Sequence, residues 1–478
     1  MPGMDEDVPS GAPPHQQGIL SSDAASSSSS LSTLARNATA KPSLLLTGLS
    51  KALANPYHHT TSPLGIINLG TAENHLCFPE LLEKFNSPEI RITTPDMLTY
   101  GNTYGSAPLL ASIADLFNEF LRPCQAVVPA DLTVHAGCGA TISNVAQALT
   151  DPGDGILIPC PFYGGFDFDL TLYAQAKLVH VETSSHDNFL ITPKACETAY
   201  ANAVAAGTRV RVLLLTNPSN PTGLAMGPSE ILSLLEWAKG RNLHVVSDEI
   251  YALSTWSNKN PFVSVLALPT LPDPQRTHVV WSFSKDFGSN GIRVGVFFSR
   301  DRQLLKAMHM FSILTNTSSL ADRACANLLS DRKWVAWYVE ENKKRMRESF
   351  EKTATALKRM RVPYIEPDSG FFVFVNLSRW IAPVGDASTT SHGPPSESAG
   401  WRGLWNRLID AGIYILPGEA FSCRQPGFFR IVHTLNWDVV RLGLERLERV
   451  LDEVEVETAS SHLKDMSVEL FDMQKFHS

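Results

Sequence analysis

No stretch of this 478-residue chain stays apolar for the ~18–20 residues a membrane-spanning helix needs. No basic block appears either. Lys and Arg number 40 against 48 Asp and Glu, a net charge of −8, and a pI near 6.0 argues against a nucleic-acid ligand, because nothing gathers to neutralise phosphates. The seven cysteines, at 77, 124, 138, 160, 196, 325 and 423, are odd in number and lack C-x-x-C spacing. That points away from a disulfide framework or a structural metal and toward a reducing, cytoplasmic setting. The first 30 residues are polar and serine-rich, without the charged start and apolar core of a secretory signal. A G-x-G occurs at Gly137–Gly139, but the third glycine of a dinucleotide fingerprint is missing, which disfavours a nicotinamide site. No segment repeats.

What is present fits a globular protein: 44% hydrophobic and 18% charged residues, with enough length for two or three domains. Residues 1–45 are rich in Gly, Pro, Ser and Ala and read as a disordered leader; 384–400 has similar composition and reads as a surface insertion. Short β-rich runs at 155–159, 177–181, 210–216, 243–247, 278–282 and 293–298 alternate with helical stretches. One helix is expected over 228–240, where Ile231, Leu234, Leu235 and Ala238 share a face. Strand–helix alternation predicts an α/β fold with a largely parallel sheet covered on both faces. Ligands on such sheets gather at the carboxyl ends of the strands. Beyond about 320 the pattern shifts to helices at 334–361 and 401–411 with strand runs at 370–376 and 427–433, expected to form a smaller α+β domain. The boundaries expected are 46–95 for an N-terminal part of the small domain, 96–325 for the large domain, 326–455 for the rest of the small one, and 456–478 for a tail with a final helix near 466–476.

The chemistry concentrates at Ser282-Phe283-Ser284-Lys285, followed eight positions on by Arg293. A lysine can form a Schiff base with an aldehyde cofactor, and two hydroxyls with an arginine can hold a phosphate. Pyridoxal 5′-phosphate needs both, together with a carboxylate at its pyridine nitrogen and a donor to its ring oxygen. Asp248 follows the buried run 243–247, where an acid is costly without a partner; Tyr251 lies one turn further. Taken alone, that segment more often reads as a strand end capped by an acid. Asn217–Gly223 makes a rigid turn after another buried run, which is either a plain loop or a way to aim an amide. Gly139, Ala140 and Thr141 open a helical stretch whose free N–H groups suit a phosphate. The aromatic cluster 162–166 could stack on a flat ring or simply pack. Arg430, between apolar neighbours, needs an anion: a substrate carboxylate or a structural partner.

In this order the segments resemble the class I/II aminotransferase family, whose fold is the large pyridoxal-phosphate transferase type (fold type I). The likeness spans about 64–451 without the insertion. Within the family it is nearest to 1-aminocyclopropane-1-carboxylate (ACC) synthases and ACC-synthase-like proteins, through Ile67-Asn68-Leu69-Gly70-Thr71-Ala72-Glu73-Asn74 and through 271–279. The resemblance implies pyridoxal phosphate as cofactor, with Lys285 as its tether and Asp248 at its nitrogen. Tyr251 and Asn220 would face the ring oxygen. Gly139, Ala140, Thr141, Ser282, Ser284 and Arg293 would hold the phosphate, and Tyr163 would stack on the ring. Arg430 would take the α-carboxylate of an amino-acid substrate, with Glu73 beside it. It also implies a homodimer in which Tyr100 or Tyr104 reaches the partner's phosphate; direct register with plant ACC synthases puts Thr103 at that tyrosine. Phe168 stands where those enzymes carry arginine.

The generic aminotransferase residues are present while that charge is not, which favours transamination. The alternatives are a carbon–sulfur lyase or ACC-synthase-type lyase, supported by Glu73, and a non-catalytic relative of the fold.

Overall fold

In a computed structural model the described residues are 30–39, 43–91, 93–381 and 400–475, with side chains described as far as 460. Of the expected leader, residues 1–29 and 40–42 lie outside them, as do 384–399 of the expected insertion. The short helix Thr33–Thr39, in a unit of its own, buries no residue.

The described residues from 43 onward make thirteen strands: β1 (Ile67–Asn68), β2 (Leu132–His135), β3 (Gly155–Pro159), β4 (Lys177–Val181), β5 (Val210–Thr216), β6 (His244–Asp248), β7 (Thr277–Ser282), β8 (Gly295–Phe298), β9 (Tyr364–Ile365), β10 (Phe372–Asn376), β11 (Ile413–Tyr414), β12 (Leu416–Pro417) and β13 (Phe428–Val432). Seven of them build one sheet in the order β2-β8-β7-β6-β5-β3-β4. All its pairings are parallel except the two that β8 makes with β2 and β7. The sheet's strands are apolar along their length because helices cover both faces: every residue of β2, β3, β7 and β8 is buried. On one face Leu213, Val245, Val279 and Val296 pack into a core with the helix Pro228–Gly240; on the other, Ile156, Val212, Val246 and Phe297 pack with the helix Cys138–Leu149.

A second sheet, β12-β13-β10-β9, is antiparallel, and β1 pairs in parallel with β11 beside it. Its core contains Phe371, Phe374, Phe429 and Ile431 together with residues of the long helix Arg332–Arg359. Element boundaries fall within about two residues of those read from sequence. One helix differs more. It runs unbroken over Trp437–Lys475 instead of restarting near 466, since no proline interrupts that stretch.

The turn that carries Lys285 is braced from beneath. Asp286, 1% exposed, accepts from the Leu253 backbone N–H (2.9 Å), the Ser254 hydroxyl (2.7 Å) and the Trp281 indole (2.8 Å). Removing that carboxylate strands three buried donors. Asp286→Ala should therefore lower the unfolding free energy by roughly 3–5 kcal/mol. Glu366→Ala, which breaks only the exposed pair with Lys259, should cost no more than about 1 kcal/mol. Urea denaturation of the two variants checks both; equal losses would refute the bracing role.

Candidate active site

At one end of the large sheet, β2, β6 and β7 finish while the reversed β8 begins. Gly137, at φ +91°, turns the chain from β2 into the helix Cys138–Leu149. Gly295 opens β8 against it so closely that a Cβ on Gly295 would lie 2.4 Å from the Gly137 carbonyl carbon. Arg293, at φ +61°, lays its guanidinium over the same glycine, where a Cβ would meet Nη2 at 2.2 Å, and donates from Nη1 to the Asn290 carbonyl at 2.9 Å. The first N–H groups of a helix have no carbonyl four residues back to bond. With Arg293 beside them they make a rim whose chemistry suits an anion.

Beside this rim opens a cavity of about 370 Å³. Among the residues expected at the site, Gly139, Tyr163, Asn220, Asp248, Tyr251, Ser284, Lys285, Arg293 and Arg430 all line it. Lys285 donates from Nζ to the Ala72 carbonyl at 2.6 Å. Burial, reinforced by the Arg430 guanidinium and opposed by Glu73, brings its amine down to about 8. Asp248 ends β6 and accepts the Ile250 N–H at 3.2 Å. Burial pushes its carboxyl up to about 7 against that hydrogen bond. The Tyr251 ring packs edge-on against Phe371 and Phe372, while its hydroxyl is buried without a partner.

Arg430, 2% exposed, sits mid-strand in β13 and donates to Asn220 Oδ1 (2.8 Å) and the Gly70 carbonyl (2.5 Å). Its guanidinium lies between the Phe372 and Phe421 rings, at 4.9 and 4.8 Å, and its Nε has no partner. With its oxygen accepting from Arg430, Asn220 keeps its amide hydrogens for a ligand.

Other expected residues are placed differently. The Ser282 hydroxyl, fully buried, caps the Lys285 turn by accepting the Ser284 N–H (3.0 Å) and lies 2.9 Å from the Val294 carbonyl, so it is spent within the fold. Thr141, also fully buried, donates to the Gly137 carbonyl at 3.0 Å. Neither lines the cavity, nor does Ala140, the next residue after Gly139. Both hydroxyls support the rim from behind. Glu73 stands just outside, held by Asn290 Nδ2 (3.1 Å) and His75 Nε2 (3.3 Å). The His75 hydrogen bond holds its carboxyl below the usual range despite burial. Tyr100 is fully exposed and away from this cavity, while Tyr104 stacks on His309 at 3.9 Å and Thr103 bonds Ser312 at 2.9 Å.

The cavity also takes residues the sequence reading did not single out: Leu45, Leu49, Cys138, Asp169 and Tyr414 among them. Asp169 had a usable signal, since it lies one helical turn after Phe166 on the same face, and both line the cavity while Phe168 does not. Burial pushes the Asp169 carboxyl up to about 7, with Arg293 opposing. Leu45 and Leu49 carried no motif.

The pocket suits pyridoxal phosphate on three observations: an orphaned buried hydroxyl at Tyr251, an orphaned guanidinium N–H at Arg430, and a half-buried amine beside a rim of free helix N–H groups.

Comparison with known proteins agrees. A profile of the family described as "Aminotransferase class I and II" matches residues 64–447. The chain is 34% identical over 404 residues to ACC synthase-like protein 1 of Takifugu rubripes, covering 83% of this chain but only 63% of that protein's length. It is 32% identical to the Homo sapiens protein named "Probable inactive 1-aminocyclopropane-1-carboxylate synthase-like protein 2" (86% and 71% covered) and 33% identical to ACC synthase 3 of Oryza sativa subsp. japonica (82% and 89%). In fold it is similar to an aspartate aminotransferase of Thermus thermophilus, with a TM-score of 0.72 at 23% identity, covering 88% of this chain and 99% of that one. This chain belongs to the class I and II aminotransferase family, whose coenzyme is pyridoxal 5′-phosphate.

Proposed function

We propose that the chain is an ACC-synthase-like aminotransferase that acts on an α-amino acid through Lys285. The observation that carries the proposal is the half-buried Lys285 amine, with its lowered pKa, beside Asp248 and Arg430 in one cavity. Lys285 would tether the coenzyme, Asp248 would face its pyridine nitrogen, and Tyr251 and Asn220 its ring oxygen. Tyr163 would cover its face, and Gly139, Ala140, Ser284 and Arg293 would hold its phosphate, backed by Thr141 and Ser282. The coenzyme supplies an electron sink for the substrate's Cα electrons. Arg430 binds the substrate carboxylate with its free N–H and so fixes the Cα hydrogen relative to Lys285. Freed when the substrate's amino group takes its place, Lys285 Nζ, its basicity lowered by burial and by Arg430, would take that proton.

The large domain is proposed as 96–325 and the small one as 46–95 with 326–455. We propose a homodimer as well. Leu98 and Tyr100 are exposed, and so are Met310, Ile313 and Leu314 on the helix that Tyr104 and Thr103 touch. A second copy would cover this apolar face and bring Tyr100 or Tyr104 to the partner's phosphate rim. The paucity of ordered cysteine pairing, with all seven thiols free, suits a cytoplasmic setting. Among the described residues no helix is long and apolar enough to cross a membrane.

A second reading, elimination by a lyase, draws on Glu73, whose charge bears on Lys285 and whose partner Asn290 lines the cavity. Product stoichiometry separates the two. Transamination yields one 2-oxo acid per subunit and stops until another 2-oxo acid is added, whereas a lyase turns over without one and releases its sulfur leaving group, together with ammonia where the product is a 2-oxo acid. The non-catalytic alternative, raised by the name of the human relative, is tested by hydrogen exchange at Cα.

Borohydride reduction of the native protein with pyridoxal phosphate should label Lys285 alone, and Lys285→Ala should slow exchange of the substrate Cα hydrogen with solvent by at least roughly 100-fold. An unlabelled Lys285 would sink the assignment. The rate at which the coenzyme-free chain captures pyridoxal phosphate should rise through one deprotonation centred near pH 8. Arg430 disfavours the charged amine, so Arg430→Gln should move that midpoint to higher pH. Glu73 favours it, so Glu73→Gln should move it to lower pH. Shifts in the same direction would contradict the charge arrangement. Sedimentation should give twice the 52.4 kDa chain mass, and Leu314→Glu should dissociate it.

A further inference from the structure

A second cavity, of about 310 Å³, opens at the carboxyl ends of β3 and β5, large enough for a small molecule. Thr216, the last residue of β5, lines both cavities. The turn that follows, Asn217–Gly223, is therefore a shared wall. Asn220 faces the coenzyme cavity and accepts from Arg430, while Ser219 and Thr222 line the second cavity.

No lysine, arginine or histidine lines this second cavity, whereas two carboxylates do: Asp187 and Glu230, neither in an ion pair among the described residues. Glu230 spends Oε2 on the Gly227 N–H at 2.7 Å and keeps Oε1. Asp187 and Asn188 are exposed and mark the mouth, while Ile158, Phe189 and Ala225 are buried and mark the depth. Thr222, 2% exposed, also lines it; its Oγ1 accepts the Leu224 N–H at 3.4 Å, and its own hydrogen has no acceptor among the described residues. The wall is formed in advance. Asn188 and Phe189 take left-handed φ values of +55° and +57°, uncommon away from glycine and most of all for an aromatic residue. Contacts outside the cavity hold them there: the Phe189 ring lies 5.9 and 5.6 Å from those of Phe374 and Phe428, and the Ser185 N–H donates to Gln425 Oε1 at 2.9 Å.

We propose that this cavity binds a protonated amino alcohol, its ammonium at Asp187 and Glu230 and its hydroxyl at Thr222, and that the occupant tightens binding of the substrate carboxylate at Arg430. An anion would face two uncompensated carboxylates and no cation, and a plain hydrocarbon would leave the Thr222 hydrogen unused. The second effect follows from the shared wall. An occupant bonded to Thr222 restrains the turn, so Asn220 holds Arg430 in place before the substrate arrives. Only this coupling rests on the amino-acid-transforming function proposed above; the binding site itself does not.

The probe is 4-(dimethylamino)butan-1-ol, a tertiary amine that cannot condense with the coenzyme's aldehyde, added to the full chain loaded with pyridoxal phosphate. Calorimetry should find one site per chain. 4-Hydroxybutyrate, in which a carboxylate replaces the ammonium, should bind at least roughly ten-fold more weakly. Asp187→Asn combined with Glu230→Gln should weaken the probe roughly ten-fold, and Thr222→Val roughly five-fold, while Thr222→Val leaves N,N-dimethylbutylamine, which lacks the hydroxyl, unchanged. α-Methylalanine has no Cα hydrogen to lose, and its binding is read from the coenzyme's absorbance. It should bind at least roughly five-fold more tightly with the probe present, and the probe should tighten by the same factor in its presence. Equal affinity for 4-hydroxybutyrate, or unchanged probe binding in the variants, would overturn the site. Competition between the probe and α-methylalanine would put the probe in the coenzyme cavity and overturn the whole proposal, and mutual indifference would overturn the coupling. Borohydride labelling of Lys285 on the same sample reports on the function itself, so the two failures are distinguishable.

Discussion

Arg430 reaches from the middle of β13 into the cavity floor, where its guanidinium bonds both the Asn220 side chain and the Gly70 carbonyl. One buried charge thus joins three distant parts of the chain: the small sheet, the turn after β5, and the segment after β1. A guanidinium removed from water is costly unless its hydrogens are used. Here two aromatic faces and two acceptors meet most of that cost, and Nε is left over. The same charge stands close enough to Lys285 to favour the neutral amine. The lowered pKa of the lysine and the carboxylate binding proposed above therefore draw on the same residue that joins these parts.

Around it the large sheet supplies a floor by a single reversal of direction. If β8 ran parallel to its neighbours, Arg293 would lie at the far end of the sheet, away from the start of the helix Cys138–Leu149. Because β8 is antiparallel to β2 and β7, Arg293 and Gly137 arrive together at the end where Asp248 and the Lys285 turn also lie. The closeness of Gly295 to Gly137 is the steric condition for that meeting. The buried Asp286 then fixes the turn that presents Lys285.

Much of this was legible in the residues. The strands of the large sheet are buried on both faces, so they read as short apolar runs, and the polar residues just beyond them marked the site: Asp248 after 243–247, Asn220 after 210–216, Ser284 and Lys285 after 278–282. The weaker inferences concerned side chains of similar type in one segment. Ser282 and Ser284 are two residues apart with the same hydroxyl, yet one is spent on capping and the other lines the cavity. Phe168 and Asp169 are adjacent, and only the second lines the cavity. Leu45 and Leu49 were invisible as site residues because a leucine pair one turn apart is the ordinary mark of any packed helix.

By itself, then, the sequence determined which reactive groups the chain owns, their order, and the α/β class that gathers them at one end of a sheet, because strand burial and residue chemistry are local properties. Only the tertiary structure decided which groups keep a hydrogen bond to spare and which carbon surfaces close over them. Those outcomes depend on neighbours far away in the chain: Gly70 and Asn220 for Arg430, Val294 for Ser282, and Tyr414 for the helix that carries Leu45 and Leu49.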